Sequence, residues 1–501
     1  MASSRTSDTG LSGSLWIETA PTTHYPRLDT SIAVDVAVIG AGIAGITTAS
    51  MLQRSGAEVA LVDAHRIALG ASARATVKVS ASHGLRASEI AGRFGEDAAR
   101  TYVSRNAAAL ETVAGFVDEL GIDCSFERRQ HVVCAETSSQ RQRLAREADL
   151  HSRIGLASSL ESSTDLPFPV AACLVTENQA QFHPRRYLLG LADAFVDEGG
   201  QIYETSPVID LREDGGWTAV TRAGSVSATD VVLATGSPIS DQKFLPEKMQ
   251  PRMEHAVAAP APDDAPAEMY LSTGEPGWSI RTADDDGTRL LIVVGEKHPV
   301  GEGSEERYQE SLVSWMHERF GTDSVRYAWA THDEWTIDGL PFIGALNENL
   351  WVATGFGGWG MTNGTAAADI LTTAIGGDDV GDAVLFDPSR PSVRRAPDTF
   401  LRQSAVVGQR WLMDRVDAYR GAPAPANGSA DVGRIGDDLV ACYRDTDGSM
   451  YMVSAVCTHR GCIVSWNDRE QSWDCFCHGS RFAPTGDVIS GPANEPLRRI
   501  G

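Results

Sequence analysis

Six residues near the C-terminal end have the types and spacing to hold a redox metal. Cys457-Thr-His459-Arg-Gly-Cys462 is followed by Cys475-Phe-Cys477-His478-Gly-Ser480. Two such loops place two thiolates, Cys457 and Cys475, on one iron of a 2Fe-2S cluster and two imidazoles, His459 and His478, on the other. A tetrahedral zinc site takes the same Cys2His2 set, but zinc has no use for the two further cysteines, Cys462 and Cys477. The remaining cysteines, Cys124, Cys134, Cys173 and Cys442, are scattered, which is not the pattern of a secreted disulfide scaffold.

A second constellation lies near the N-terminus. Gly40-Ala-Gly42-Ile-Ala-Gly45 follows the apolar run Val34–Ile39 and opens a helical stretch reaching about Ser55; a second β run, Val59–Val62, ends at Asp63. The first glycine permits the turn, the second lets the backbone approach a pyrophosphate, and the third permits close helix–strand packing. The helix N-terminus then faces the anion and Asp63 faces a ribose hydroxyl. The motif alone does not separate FAD from NAD. A later run, Leu350–Thr354, enters Gly355-Phe-Gly357-Gly358-Trp-Gly360, which also fits the dinucleotide pattern. No second strand and acid follow it, which speaks against a separate NAD(P)H site.

Further segments carry a resemblance. Gly70-Ala-Ser72-Ala-Arg74, Ala234-Thr235-Gly236 and Trp335-Thr-Ile-Asp-Gly-Leu-Pro-Phe-Ile-Gly344, in this order, resemble the D-amino-acid oxidase-like FAD family, which includes glycine and sarcosine oxidases. Gln181-Phe-His-Pro184 and Ala353–Gly364 resemble a bacterial branch with a C-terminal Rieske domain. The resemblance implies non-covalent FAD, since Arg74 stands where one branch has its linking histidine. The implied contacts are Gly40, Gly42, Gly45, Asp63, Ser72, Arg74, Lys78, Val208, Thr235, Gly236, Gly355, Gly358, Gly360, Met361 and Thr362. The helix start after Gly360 is expected beside the flavin ring.

The cysteine loops resemble Rieske proteins of the cytochrome bc type, which implies a Cys462–Cys477 disulfide. Phe476 replaces the usual proline and Arg460 a common leucine. Ser480 matches a serine that donates to cluster sulfur, whereas Phe482 stands in place of a tyrosine donor, which should lower the potential.

These sites require an α/β chain: a Rossmann-like FAD-binding domain with an interleaved α+β substrate domain, then an all-β Rieske domain. The expected divisions are an N-terminal extension (1–30), the oxidoreductase (31–390), a helical linker (391–430) and the Rieske domain (431–501). Gly421-Ala-Pro-Ala-Pro-Ala-Asn-Gly428 is the breaker-rich part of the linker. A chain of 501 residues has room for these cores. Its net charge of −24 argues against nucleic acid and anionic membranes as partners. Met1–Gly13 lacks the apolar core of a secretory signal and reads as a frayed tail, so a cytoplasmic location is expected.

An oxygenase would need a mononuclear iron held by two histidines and a carboxylate; the twelve histidines include no pair four or five apart outside the cluster motif. A respiratory subunit would need a membrane anchor. The expectation that survives is dehydrogenation of a small amine or amino-acid-like substrate, with electrons passed singly through the cluster to an external acceptor. An electron carrier or reductase component is the alternative, and a redox sensor a third. Candidate acid–base residues are His183, His332 and Asp333. The segment before Asp338 lacks the carboxylate-clamping arginine of several relatives, leaving Arg281 or Arg186 for that role, or a substrate without a carboxylate.

Overall fold

The computed structural model describes residues 13–239, 242–418, 421–468 and 470–500. The frayed tail expected over residues 1–13 falls, apart from Gly13, outside them. Two sheets and the helices between them form the main body. In the first sheet, strands Ser31–Ile39, Val59–Val62, Ser225–Leu233 and Leu350–Thr354 run parallel, with Val36 opposite Val59 and Val231 opposite Leu350. Val59–Val62 and the second half of Ser31–Ile39 are buried on both faces, as an apolar run in a covered parallel sheet should be.

Helices Ile43–Arg54 and Gly360–Ile375 lie side by side against this sheet, each starting from one of the glycine motifs. Their approach is close: a Cβ at Gly364 would sit 2.9 Å from Ile43 Cγ2. The two glycine motifs therefore open at the same edge of the sheet.

The second sheet runs Tyr327–Thr336, Met249–Pro260, Thr288–Pro299, Trp278–Asp285, Met269–Ser272, Glu127–Ala135, Ala172–Gln181 and Lys78–Val79. Its strands alternate along the chain with those of the first sheet, which is the interleaving expected. The N-terminal segment is part of this body: Leu15 and Trp16 are buried, and Ser14 Oγ and the Trp16 indole donate to the carbonyls of Ala73 and Ala75 at 2.7 and 2.8 Å.

A helix, Pro397–Ala418, leads to the C-terminal unit. That unit has a three-stranded sheet (Ser429–Ile435, Asp438–Arg444, Met450–Ser454) and a four-stranded one (Ser465–Asn467, Ser472–Asp474, Arg481–Phe482, Val488–Ser490). It closes on its own core, including Tyr443, Val453, Trp473 and Phe482. No helix among the described residues is long and apolar enough to cross a membrane.

Candidate functional site

The first glycine loop is shaped by contacts that only glycine tolerates. A Cβ on Gly45 would lie 1.7 Å from the Gly40 carbonyl oxygen, and one on Gly40 would lie 2.5 Å from Ala234 O at a φ of +103°. Gly42 is the helix N-cap and presents no side chain to the space ahead of it. Asp63 accepts from the amides of Ala41 and His65, each at 2.7 Å. Burial pushes its carboxyl up, against those hydrogen bonds. Ser72 Oγ accepts from Ile43 N at 3.0 Å, tying the Gly70–Arg74 turn to the helix start. This is a cradle a Cβ would fill, at a helix N-terminus, with an acid at the end of the second strand; it fits a dinucleotide.

Thr235 Oγ1 donates to Ser237 O at 2.7 Å and Thr354 Oγ1 donates to Gly236 O, so the turns after two neighbouring strands are joined. Val208 packs on the core beneath the sheet.

The second glycine turn rests on the Tyr327–Thr336 strand. Gly357 N donates to Glu334 O at 3.1 Å and Gly358 N donates to the Asp333 carboxylate. Burial pushes Asp333 up to about 6 and Glu334 up to about 8; the Ser237 hydroxyl donates to Glu334. Beyond the turn lies Trp359, stacked on His83 at 4.1 Å and 11°, with His131 5.6 Å away. Tyr102 Oη lies 2.6 Å from His83 Nδ1, and Thr362 Oγ1 3.2 Å from His83 Nε2. Met361 is buried beside Thr362 in the first helical turn after Gly360.

Lys78 is buried close enough to His131 to act on its charge, with its ammonium on Ser279 Oγ. Burial first, then the Arg281 charge, lowers Lys78 to about 7. His131 is fully buried, and its Nε2 has no hydrogen-bond partner among the described residues. Sequence reasoning found Lys78 but not His83, His131 or Ser279, which carry no motif.

The other expected acid–base and clamping residues are placed elsewhere. His183 is the N-cap of the Pro184–Asp197 helix, accepting from Arg186 N at 3.2 Å, with Nε2 3.0 Å from Thr19 Oγ1. Arg281 donates to the carbonyls of Thr76, Val77 and Phe182 at 2.8–3.2 Å and to Thr282 O. Its Nε and Nη1 are taken up by these carbonyls, which fixes it as a brace for the chain at Thr76 and Val77. Arg186 reaches Thr19 O at 3.2 Å, beside a surface cleft of about 880 Å³ far from the glycine loops in its lining residues. Arg74 offers its carbonyl to the Trp329 indole at 2.8 Å.

At the cysteine loops, Cys457 and Cys475 share a hydrogen bond, and the rings of His459 and His478 lie 4.9 Å apart at 82°. The hydrogen bond from Cys475, the amides of His459 and Arg460 and the Ser480 hydroxyl draw the Cys457 thiol down to about 7 despite burial. Cys462 and Cys477 are disulfide-bonded across the two loops. Arg481 anchors the second loop through the buried Asp474 (3.1 Å), which also accepts from Ser472 and Asn467 at 2.7 and 2.9 Å. Two adjacent buried thiols and two adjacent imidazoles on the same pair of loops fit a 2Fe-2S cluster.

Residues 35–374 match the FAD dependent oxidoreductase family and residues 422–500 the Rieske [2Fe-2S] domain. The chain belongs to the FAD-dependent oxidoreductases and carries a Rieske domain. FAD and a 2Fe-2S cluster are its cofactors. It is 32% identical over 494 residues to YhfW of Bacillus subtilis, named as a Rieske 2Fe-2S iron-sulfur protein, covering 97% of each chain. It is 24% identical to gamma-glutamylputrescine oxidoreductase of Escherichia coli, over 71% of this chain and 86% of that one. Glycine oxidase from Geobacillus kaustophilus has the same fold over 72% of this chain and 99% of its own, with a TM-score of 0.60 at 20% identity.

The Rieske domain docks with its cluster loops toward the flavin domain. Gly479, next to the ligand His478, is so close that a Cβ there would lie 2.7 Å from both His332 Nε2 and Pro251 Cβ. Asn494 Nδ2 donates to Ile239 O at 3.2 Å, His65 Nε2 lies 2.7 Å from Ile489 O, and Arg460 pairs with Glu247 at 3.3 Å. His332, expected as an acid–base group, is therefore at the domain interface. Asp333, one residue on, braces the glycine turn.

Proposed function

We propose that the chain dehydrogenates a small amine and delivers the electrons one at a time, through the Rieske domain, to an external acceptor. One observation carries this reading: His332 touches the cluster loop at Gly479, while Asp333 and Glu334, its next neighbours, hold the glycine turn expected at the flavin ring. Two residues of extended chain span roughly 7 Å, so the two redox sites share one short piece of strand. FAD supplies hydride acceptance and the cluster single-electron transfer.

The protein groups do the remaining work. An amine must lose its ammonium proton before it can give up hydride. Lys78, lowered to about 7 by burial, is a neutral amine above that pH and accepts that proton. The half-buried Trp359 ring offers the substrate a flat apolar wall, with the buried His131 behind it. With Arg281 held by backbone carbonyls, this site favours an amine without a carboxylate at that position.

The test is an anaerobic titration of holoprotein with a panel of amines and amino acids, followed by visible absorption and EPR. A compound that bleaches the flavin and raises a reduced-cluster signal supports the reading. Reduction of the cluster by a reduced ferredoxin or NAD(P)H, with no compound acting on the flavin, would replace it with the carrier reading.

A further inference from the structure

A second cluster of metal-type side chains lies outside both cofactor sites. His255, His298 and Glu305 are 2%, 6% and 6% exposed, and their ligand atoms all fall within 4.8 Å of one another. They come from three elements. His255 lies on Met249–Pro260 and His298 on Thr288–Pro299; the pairing of these strands shifts between Met253 and His255, a bulge that turns His255 toward His298. Glu305 opens the helix Glu305–Phe320.

The geometry is that of ligands around an ion. Glu305 Oε2 is 2.8 Å from His255 Nε2, and Oε1 is 3.3 Å from His298 Nε2. A tetrahedral ion about 2.0–2.2 Å from each atom sets such edges at about 3.3–3.6 Å; the His298 edge already matches, and the His255 edge would open by about 0.5 Å or more on binding. His298 Nδ1 lies 2.8 Å from Glu296 O and Nε2 3.3 Å from Glu305 Oε1, so without an ion the ring is held as an imidazolium by Glu305. With an ion, Nδ1 keeps its N–H on Glu296 O while Nε2 is free to ligate. An outer hydrogen bond of this kind orients metal-bound imidazoles. His255 Nε2 and Glu305 Oε2 lie 2.8 Å apart, and neither atom has another partner among the described residues. Tyr308 covers the site, its ring 4.1 Å from that of His298.

We propose that His255, His298 and Glu305 bind a divalent first-row transition ion, zinc being the expected one. Imidazole nitrogen with one carboxylate selects such an ion over magnesium or calcium. Three protein ligands leave a fourth position for water. The ion would fix both ends of the loop between His298 and Glu305, and that loop supports the Rieske domain. Gly301 O accepts from Arg410 at 3.0 Å, and a Cβ on Gly301 would lie 2.9 Å from Ser465 Oγ and 3.4 Å from Phe476 Cβ. The site thus acts as a staple for the docking face, and it does not depend on the identity of the substrate.

The test counts zinc. Holoprotein with full flavin and a full Rieske EPR signal is incubated with excess zinc, passed over a chelating resin and analysed for metals. Wild type should retain about one zinc per chain beyond the cluster iron, and Glu305→Gln and His298→Ala almost none, with flavin and cluster unchanged. Zinc should also raise the melting temperature of wild type but not of the variants. If wild type retains no zinc, the three side chains are a proton-bridged triad and the proposal falls. It falls equally if zinc persists in both variants, since the metal then sits elsewhere.

Discussion

Replacing Gly45 by alanine tests the architecture of the flavin loop most sharply. The added Cβ would stand 1.7 Å from Gly40 O and 2.9 Å from Gly40 C, the first being half of an ordinary 3.4 Å contact. The obstacle is backbone, so no rotamer change relieves it. Inserting a carbon into a packed interior costs about 1–3 kcal/mol when side chains yield; with backbone on the other side, at least about 3 kcal/mol is expected. Gly42 gives the contrast, because its Cβ would meet only the Ser72 hydroxyl, at 3.0 Å, which can turn away. Gly45→Ala should therefore lower the melting temperature of the apoprotein as well as its flavin content. Gly42→Ala should leave apoprotein stability within about 1 kcal/mol of wild type and lose flavin through the ligand contact alone. The Rieske EPR signal controls for folding, since that domain has its own core. A Gly45→Ala protein as stable as wild type, with stoichiometric flavin, would refute the reasoning.

Three other outcomes are expected. Arg390 binds Asp338 through two hydrogen bonds, at 2.8 and 2.9 Å, in a site where Asp338 is fully buried. Arg390→Met should cost about 3–5 kcal/mol of unfolding free energy by stranding that carboxylate, and an Arg390→Met/Asp338→Asn double variant should recover much of it; denaturant melts decide. The Glu334 carboxyl, pushed by burial to about 8, holds its proton more tightly folded than unfolded, where the value is roughly 4.3. Stability contributed by that group is therefore lost as pH rises between those values, and Glu334→Gln should flatten the melting-temperature profile from about pH 5 to 8; an identical slope would count against it. The Ser480 hydroxyl reaches Cys457 sulfur, and Phe482 is buried without a hydroxyl. Ser480→Ala should lower the cluster midpoint and Phe482→Tyr raise it, each by up to roughly 65–130 mV, the equivalent of a hydrogen bond to a charged group. Spectroelectrochemistry would show otherwise if neither moves.

What could be read from the sequence was local. Cys457, His459, Cys475 and His478 lie within two short loops, and Gly40–Gly45 sits between a strand and a helix whose periodicities are plain. What could not be read depends on contacts between distant segments. His183 has the identity of a catalytic base, and only the position of the helix it caps shows its nitrogens engaged. Arg281 has the identity of a carboxylate clamp, and only the fold brings Thr76, Val77 and Phe182 to its guanidinium. His83 and His131 meet Trp359 across three elements, and a bulge draws His255 to His298. His255 and His298 lie 43 residues apart on two strands, so no local spacing marks them as a pair. His332 has the identity of an acid–base group, and its neighbour Gly479 belongs to another domain.

The central claim is that the docked Rieske domain takes electrons from the flavin of its own chain. The most direct measurement is the rate of cluster reduction after photoreduction of the flavin in anaerobic holoprotein, followed over a wide range of protein concentration. A first-order rate independent of concentration is expected, because the cluster loop already rests against His332. A rate proportional to protein concentration, or a reduced flavin beside a cluster that stays oxidised, would contradict it.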